Sequence, residues 1–193
     1  MVINFIKIKE SDSKKIYNWR TKPRIEKFMK TRFSHSDNEQ KKWITLSNKK
    51  KDFWHWIVCF KNKKIGYISV FKPQPKGKEL SWGFYMGEEK YLAFSGIISI
   101  ALHNYIFLKT NVKKIVTTVL SHNKKVINSR KEQGYKIIGR SDQNILIPGE
   151  SKSVHRKNIE ITKKIWINNN KKTLNIFPSI EIYKSFNKKG LII

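Results

Sequence analysis

Five histidines and one cysteine are the obvious candidates for chemistry in this chain, and their spacing sorts them quickly. His103 and His122 stand alone, and no His or Cys cluster has the spacing that holds zinc, so no metal site is expected. Cys59 lies inside the apolar run at residues 53–60 and reads as core. A single cysteine also forms no intrachain disulfide. Neither a Walker loop nor a dinucleotide fingerprint is present. The informative place is a junction. A strand-like segment at 79–86 ends ahead of an amphipathic helix that begins near Ile97. Such an entry offers free backbone N–H groups at the positive end of a helix dipole, which holds a phosphate without charged side chains. Gly96 at the entry lets a diphosphate come close to the backbone.

The elements that position this junction follow from periodicity. Residues 3–8 alternate like a strand. Ser11, Asp12 and Ser13 offer N-caps for a helix over 14–19. Pro23 suits a first helical turn, with Ile25, Phe28 and Met29 following at helical spacing. Ser36 to Glu39 reads as a capping box for a helix over 40–46, with Trp43 and Leu46 facing the core. Residues 53–60 are almost continuously apolar, as in a strand covered on both faces. A hairpin turn at 61–64 leads into a strand over 65–71, then a loop over 72–78 with two prolines.

After the strand at 79–86 the period switches. Ile98, Leu102 and Ile106 mark a helix ending near Lys109. A strand over 114–120, a helix over 124–133 capped by Gly134, and strands over 135–138 and 159–165 complete the count. Residues 141–154 read as a loop or short hairpin. The fold class is therefore α+β: a mixed, mostly antiparallel central sheet of about six or seven strands flanked by helices. The domain runs over 1–167, and 168–193 forms a Lys/Asn-rich C-terminal extension.

At 193 residues, with 39% hydrophobic and 12% aromatic content, the chain buries a sizeable core. Its 41 Lys and Arg against 14 Asp and Glu give a formal charge of +27, a field that attracts phosphates. Much of the excess is Lys interspersed with Asn and Ile, a composition that a low-GC genome also produces. The N-terminus is too short and too quickly charged for a signal peptide, and no apolar stretch reaches spanning length, so the expected location is cytoplasmic.

Element order, and the text from Trp82-Gly83-Phe84-Tyr85-Met86 through Asn123 to Gly134-Tyr135, resemble the GNAT superfamily of acyl-CoA N-acyltransferases. That resemblance implies acetyl-CoA, or another acyl-CoA, as co-substrate and no metal. Tyr85 and Met86 would line the pantetheine and acyl end. Tyr91, Leu92, Ala93, Phe94, Ser95 and Gly96 would hold the pyrophosphate, with Asn123 at the exit of the fifth strand. Asn18-Trp19-Arg20, the segment from Ile25 to Thr31, and Ser36 to Trp43 are similar to the N-acetyltransferase of the pseudaminic acid pathway, in surface-glycan biosynthesis. That enzyme acylates the 4-amine of a UDP-linked 4-amino-4,6-dideoxy sugar. The likeness covers roughly residues 3–166. It implies that Arg20, Met29, Lys30, Arg32 and Phe33 face a nucleotide-linked amino sugar carrying UDP or dTDP.

The sequence departs from the superfamily at two points. The coenzyme loop usually reads Gln/Arg-x-x-Gly-x-Gly/Ala, and here only Gly96 survives. The Tyr that usually protonates the leaving thiolate, seven residues after the Asn, is replaced by Arg130. Arginine does not give up its proton near neutrality. It can stabilise the thiolate electrostatically; alternatively Ser129 or a water delivers the proton. The attacking amine must be neutral, so a base is needed, and His55, Glu79 and His35 are candidates. Two other readings stay open. One is a protein N-terminal or ribosomal-protein acetyltransferase. The other is a basic nucleic-acid-binding protein without catalysis, which charge and six tryptophans allow. An aminoglycoside-modifying enzyme fits poorly, because its acceptor is polycationic. A homodimer is compatible with the sequence.

Overall fold

The structure, a computed structural model, describes residues 3–29, 36–73, 79–146, 153–181, 186–187 and 190–191. Its elements are β1 (Ile3–Lys7), α1 (Ser13–Arg20), α2 (Pro23–Glu26), α3 (Asp37–Asn48), β2 (Phe53–Phe60), β3 (Lys63–Phe71), β4 (Glu79–Met86) and α4 (Ser95–Lys109). There follow β5 (Lys114–Leu120), α5 (Lys124–Glu132), β6 (Lys136–Leu146), β7 (Ser153–Thr162), α6 (Lys163–Asn169) and the two-residue strands β8 (Ser179–Ile180), β9 (Phe186–Asn187) and β10 (Gly190–Leu191). Eight strands form one sheet in the order β6-β7-β5-β4-β3-β2-β1-β8. Neighbours pair antiparallel except β4 with β5 and β1 with β8. The α+β expectation of a mostly antiparallel sheet flanked by helices holds.

Alternation along the central strands divides the core into two layers. Trp54, Trp56 and Val58 of β2, with Ile68 and Val70 of β3 and Trp82 and Met86 of β4, pack under α4. The intervening Ile57, Cys59, Tyr67 and Tyr85 pack with Ile16, Trp19, Ile25 and Ile44 from α1, α2 and α3. Both faces are covered, which is why 53–60 is apolar at nearly every position. Cys59 is buried, as expected.

The parallel pair β4/β5 is joined only at its start. Glu79 pairs with Lys114 and Leu80 with Ile115, and the ladder then stops. Beyond it the Thr117 hydroxyl donates to the Trp82 carbonyl at 3.1 Å, a side-chain link where a backbone one would otherwise run. The strands therefore splay toward Met86 and Leu120, opening a V in the middle of the sheet.

α1 closes against the tip of β4 by an unusually tight contact. A Cβ built on Gly87 would stand 2.1 Å from the Trp19 ring, so only a glycine admits the indole. Trp19 is buried, and its Nε1–H donates to the Glu88 carboxylate at 3.0 Å.

Several expectations need correction. Residues 141–146 and 153–154 belong to strands, so β6 and β7 form one long hairpin in place of a loop or short hairpin. The strand expected over 159–165 ends at Thr162; its hydroxyl accepts from the Ile165 N–H and starts α6 instead. Leu46 is 63% exposed, and Gln40, Ile44 and Ser47 form the buried face of α3. The helical run 89–109 is long and apolar enough to span a membrane by length and composition, contrary to the sequence reading. Half of it is buried inside the molecule, and Ile98, Leu102 and Ile106 pack on the sheet. The boundary drawn at 167 falls inside α6. Residues beyond it are tied to the core: Asn104 donates to the Thr173 and Ile176 carbonyls, and Trp56 Nε1–H to the Glu181 carbonyl.

Two core histidines yield a prediction. His55 donates from Nε2 to Asn48 Oδ1 at 3.0 Å, and burial lowers its pKa to about 4. His103 donates from Nδ1 to the Ser99 carbonyl at 2.7 Å and accepts the Tyr135 hydroxyl proton at Nε2, 2.5 Å away. Burial, followed by the Arg130 charge, lowers its pKa to about 3. Both native values lie below that of a free imidazole, about 6.5, so the unfolded chain binds protons first. This stability is fully present above pH 6.5 and is lost as pH falls from there toward 4, at about 1.4 kcal/mol per pH unit for each histidine. Thermal unfolding should show Tm falling steadily across that window. A flat Tm would mean that the imidazoles are charged in the folded protein. The Trp19 contact yields another: Gly87→Ala should cost about 1–3 kcal/mol, read as a lower denaturant midpoint at unchanged slope. An unchanged midpoint would contradict the packing.

Candidate active site

The V has two sides, and each carries its own group of polar side chains. On the α4/α5 side, the stretch from Tyr91 to Gly96 is not the open loop that the sequence suggested. Residues 89–94 form a 3-10 helix continuous with α4. The Tyr91 N–H is spent on the Glu88 carbonyl and the Ser95 N–H on that of Leu92, which also accepts from the Ser95 hydroxyl. Tyr91 and Phe94 turn inward onto Phe60, with ring centroids 6.1 and 4.8 Å away. This is how Phe94 stands where the family carries glycine: its ring has a hydrophobic seat. Leu92, Ala93 and Gly96 are exposed. A Cβ on Gly96 would meet nothing within 4 Å, so the surface beside it is open to a ligand.

Arg130 lies on this same side. Its guanidinium sits 4.1 Å from the Trp82 ring centroid and 5.9 Å from that of Tyr135. Nη1 donates to Ser99 Oγ at 2.9 Å and to Gln133 Oε1 at 2.7 Å. Among the described residues no carboxylate forms an ion pair with it. Burial lowers its pKa to about 10, so the charge persists near neutrality, held by ring faces and neutral oxygens. Asn123 caps α5 through Oδ1, which accepts from the Val126 N–H at 3.4 Å. Ser129 is half-buried one residue before Arg130, and its carbonyl accepts from the Gln133 N–H.

On the α1–α3 side, Tyr85 stacks on Tyr67 at 5.1 Å and 13°, and Tyr67 in turn faces His55. Burial raises the Tyr85 pKa, against the pull of the nearby Arg20 charge. That places Arg20 beside β4. Met86 points to the other layer, beneath α4. Met29 packs against the Ile16–Ile44 cluster. Lys30, Arg32, Phe33 and His35 lie outside the described residues.

Two expected bases are misplaced. His55 is sealed in the core, with Asn48 at one ring nitrogen and the Tyr67 hydroxyl 3.4 Å from the other. Its ring is enclosed because β2 is covered on both faces. Glu79 begins β4, at the closed end of the V, and pairs with Lys114 at 2.6 Å.

The tip of the V is spanned by a segment that the sequence did not single out. Arg24 donates from Nη1 to the Met86 carbonyl at 2.9 Å and from Nη2 to that of Gly87 at 2.7 Å. Lys22 Nζ adds a bond to the Gly87 carbonyl at 3.0 Å. Three residues on from Arg24, the Lys27 carbonyl accepts from His122 Nε2–H at 3.1 Å, and the Phe28 ring stacks on that imidazole at 5.2 Å and 21°. His122 follows the end of β5. Residues 22–28 thus bridge the exit of β4 to the exit of β5. His122 Nδ1 is shut from solvent and has no hydrogen-bond partner among the described residues, an arrangement that costs about 1–3 kcal/mol. These contacts cross 62 to 95 positions of chain, and no local pattern signals them.

The arrangement fits an extended thioester coenzyme. The interrupted ladder exposes strand edges to a pantetheine-like chain, open surface lies beside Gly96, and a cation stands at Arg130. Chains of known structure share the architecture. A chimera of the Vibrio cholerae spermidine N-acetyltransferase SpeG and hSSAT superposes with a TM-score of 0.75 at 16% identity, over 87% of this chain and 99% of that one. The Vibrio cholerae spermidine N-acetyltransferase in complex with CoA and spermine gives 0.73 at 14% identity, over 86% and 98%. An uncharacterized protein from Bacillus halodurans gives 0.72 at 13%, over 86% and 87%. At such identities the likeness speaks for the fold alone. No curated protein matches significantly in sequence. A family profile does: the acetyltransferase (GNAT) domain matches residues 3–136. The chain belongs to the GNAT acetyltransferase family and is an acetyl-CoA-dependent N-acetyltransferase.

Proposed function

We propose that the acceptor is anionic: the amine of an amino-deoxy sugar linked to UDP or dTDP. The observation that carries this reading is the charge on the α1 side of the site. A cleft of about 490 Å³ opens beside Glu88, just past the end of β4, with Trp19 in its lining. Lys14, Lys15 and Lys22 line it with Ser11, Asn18 and Glu88. Glu88 is engaged by the Trp19 indole and by Lys15 at 3.4 Å. Three ammonium groups, a hydroxyl and an amide suit phosphates and sugar hydroxyls. The likeness of residues 18–43 to the pseudaminic acid pathway enzyme supports the same reading and the setting in surface-glycan biosynthesis.

A polyamine acceptor is the alternative raised by the spermidine N-acetyltransferases of similar fold. A polycation needs converging carboxylates. This cleft supplies one, already engaged, among three lysines, and electrostatics oppose the alternative.

The division of labour follows from the two sides of the V. Backbone of Tyr85 and Met86 and the surface from Tyr91 to Gly96 are the proposed seat of acetyl-CoA, which supplies the activated acetyl group. Asn123 fixes the start of α5 and so the position of Arg130. Arg130, stacked on Trp82, places a fixed positive charge where negative charge develops on sulfur. Arg20 and Met29 are proposed to face the sugar, together with Lys30, Arg32 and Phe33.

Thiol release from acetyl-CoA with UDP- and dTDP-linked 4-amino and 3-amino-6-deoxy sugars, beside spermidine, tests the acceptor. Turnover is expected with a nucleotide sugar; turnover confined to spermidine would overturn the reading. In the same assay Arg130→Ala should lower kcat by on the order of 10²-fold and leave acetyl-CoA affinity nearly unchanged. Unaltered turnover would remove Arg130 from the mechanism.

A further inference from the structure

We propose that Glu88 sets the specificity of the acceptor cleft: its carboxylate receives the acceptor's ammonium, while Lys14 and Lys22 receive the diphosphate. The proposal rests on the reading of this cleft as the acceptor site, and adds that the acceptor is recognised as a zwitterion.

The observation that carries it is a carboxylate where anion binding alone would exclude one. Glu88 lines the cleft beside Lys14, Lys15 and Lys22, and its side chain is 32% exposed. A negative charge among three ammonium groups weakens the field that draws a diphosphate in. The Trp19 indole needs only an acceptor oxygen, which an amide supplies as well as a carboxylate. The charge itself therefore calls for a cation. Lys15 provides one at 3.4 Å, but both side chains are partly exposed, and such a pair contributes little to stability.

Glu88 is fixed before any ligand arrives. The Gly87 and Glu88 N–H groups both donate to the Ile65 carbonyl, at 2.8 and 3.0 Å. Lys22 and Arg24 hold the Gly87 carbonyl. The indole N–H of buried Trp19 then orients the carboxylate through Oε1 at 3.0 Å, the oxygen that Lys15 also meets. Oε2 makes no hydrogen bond among the described residues, so one oxygen is committed and the other is available. The Trp19 hydrogen bond first, then the Lys15 and Lys22 charges, outweigh burial and hold the carboxyl below its ordinary value. It is charged at neutral pH.

The position suits an acceptor amine. Glu88 stands two residues beyond Met86, where β4 ends and the V is open. Two residues of chain span at most about 7 Å, which keeps the amine beside the strand end where the thioester is proposed to lie. One carboxylate also matches one amine, whereas a polyamine would leave its further ammonium groups facing lysines.

Glu88→Gln is the test, because the amide keeps an oxygen for the Trp19 indole and removes the charge. The probes are a UDP-linked 4-amino-4,6-dideoxy sugar and its 4-hydroxy counterpart, with Kd measured by calorimetry. The unaltered enzyme should bind the amino sugar on the order of 10- to 10²-fold more tightly. Glu88→Gln should abolish that preference by weakening the amino sugar alone, and KM for acetyl-CoA should stay unchanged. Lys14→Ala should weaken both sugars by the same factor; loss of the amino sugar alone would contradict the division of charge. An equal loss of both sugars in Glu88→Gln would make Glu88 structural and overturn the proposal, as would an undiminished preference for the amine. Binding of neither sugar to the unaltered enzyme would overturn the nucleotide-sugar reading, and the proposal with it.

Discussion

Two ladder positions, Glu79 opposite Lys114 and Leu80 opposite Ile115, are all that join β4 to β5. Every other neighbouring pair among the long central strands runs on for five positions or more. A sheet interrupted in its middle exposes backbone groups that must find partners. Here part of the demand is met from the side: Thr117 bonds the Trp82 carbonyl, and Arg24 and Lys22 bond those of Met86 and Gly87. The layers on either face keep the gap from closing. Trp82, with Arg130 laid on it, fills one face, and Trp19, seated on Gly87, fills the other. Ligand geometry is therefore set by packing distributed over the whole sheet.

Much of this frame was legible locally. The apolar run at 53–60, the capping box at Ser36 and Gly134, at φ +97°, each encode a local conformation. Elements whose signal is tertiary were misread. Residues 141–144 are polar, yet they lie within β6, which pairs with β7 on both sides of a register shift between Ser141 and Ile145. Ile165 and Trp166 continue the apolar pattern of β7, so the helix that starts at Thr162 looked like more strand. Its cap and the Trp166 Nε1–H bond to Asn104 decide otherwise.

The candidate site was legible where the family's motif is contiguous and illegible where the chain departs from it. Arg130 could be found by counting from Asn123, but its setting on Trp82 could not. Nothing near His122 in sequence marks it out; its partners, Lys27 and Phe28, lie 95 and 94 positions earlier. His55, flanked by tryptophans, drew notice as a base, and burial on both faces of β2 disposes of it. Basic composition pointed to phosphate early. In the structure Lys14, Lys15 and Lys22 line one cleft beside α1, which is where the proposed anionic acceptor would sit.

The central claim is that the coenzyme occupies the splayed gap and the acceptor approaches from the α1 side. Amide hydrogen exchange with and without acetyl-CoA tests it most directly. Protection is predicted at residues 83–96 and around 117–126, on both edges of the gap, with little change along α1. Protection confined to α1 and the lysine cleft, with the β4 and β5 exits unaltered, would contradict it.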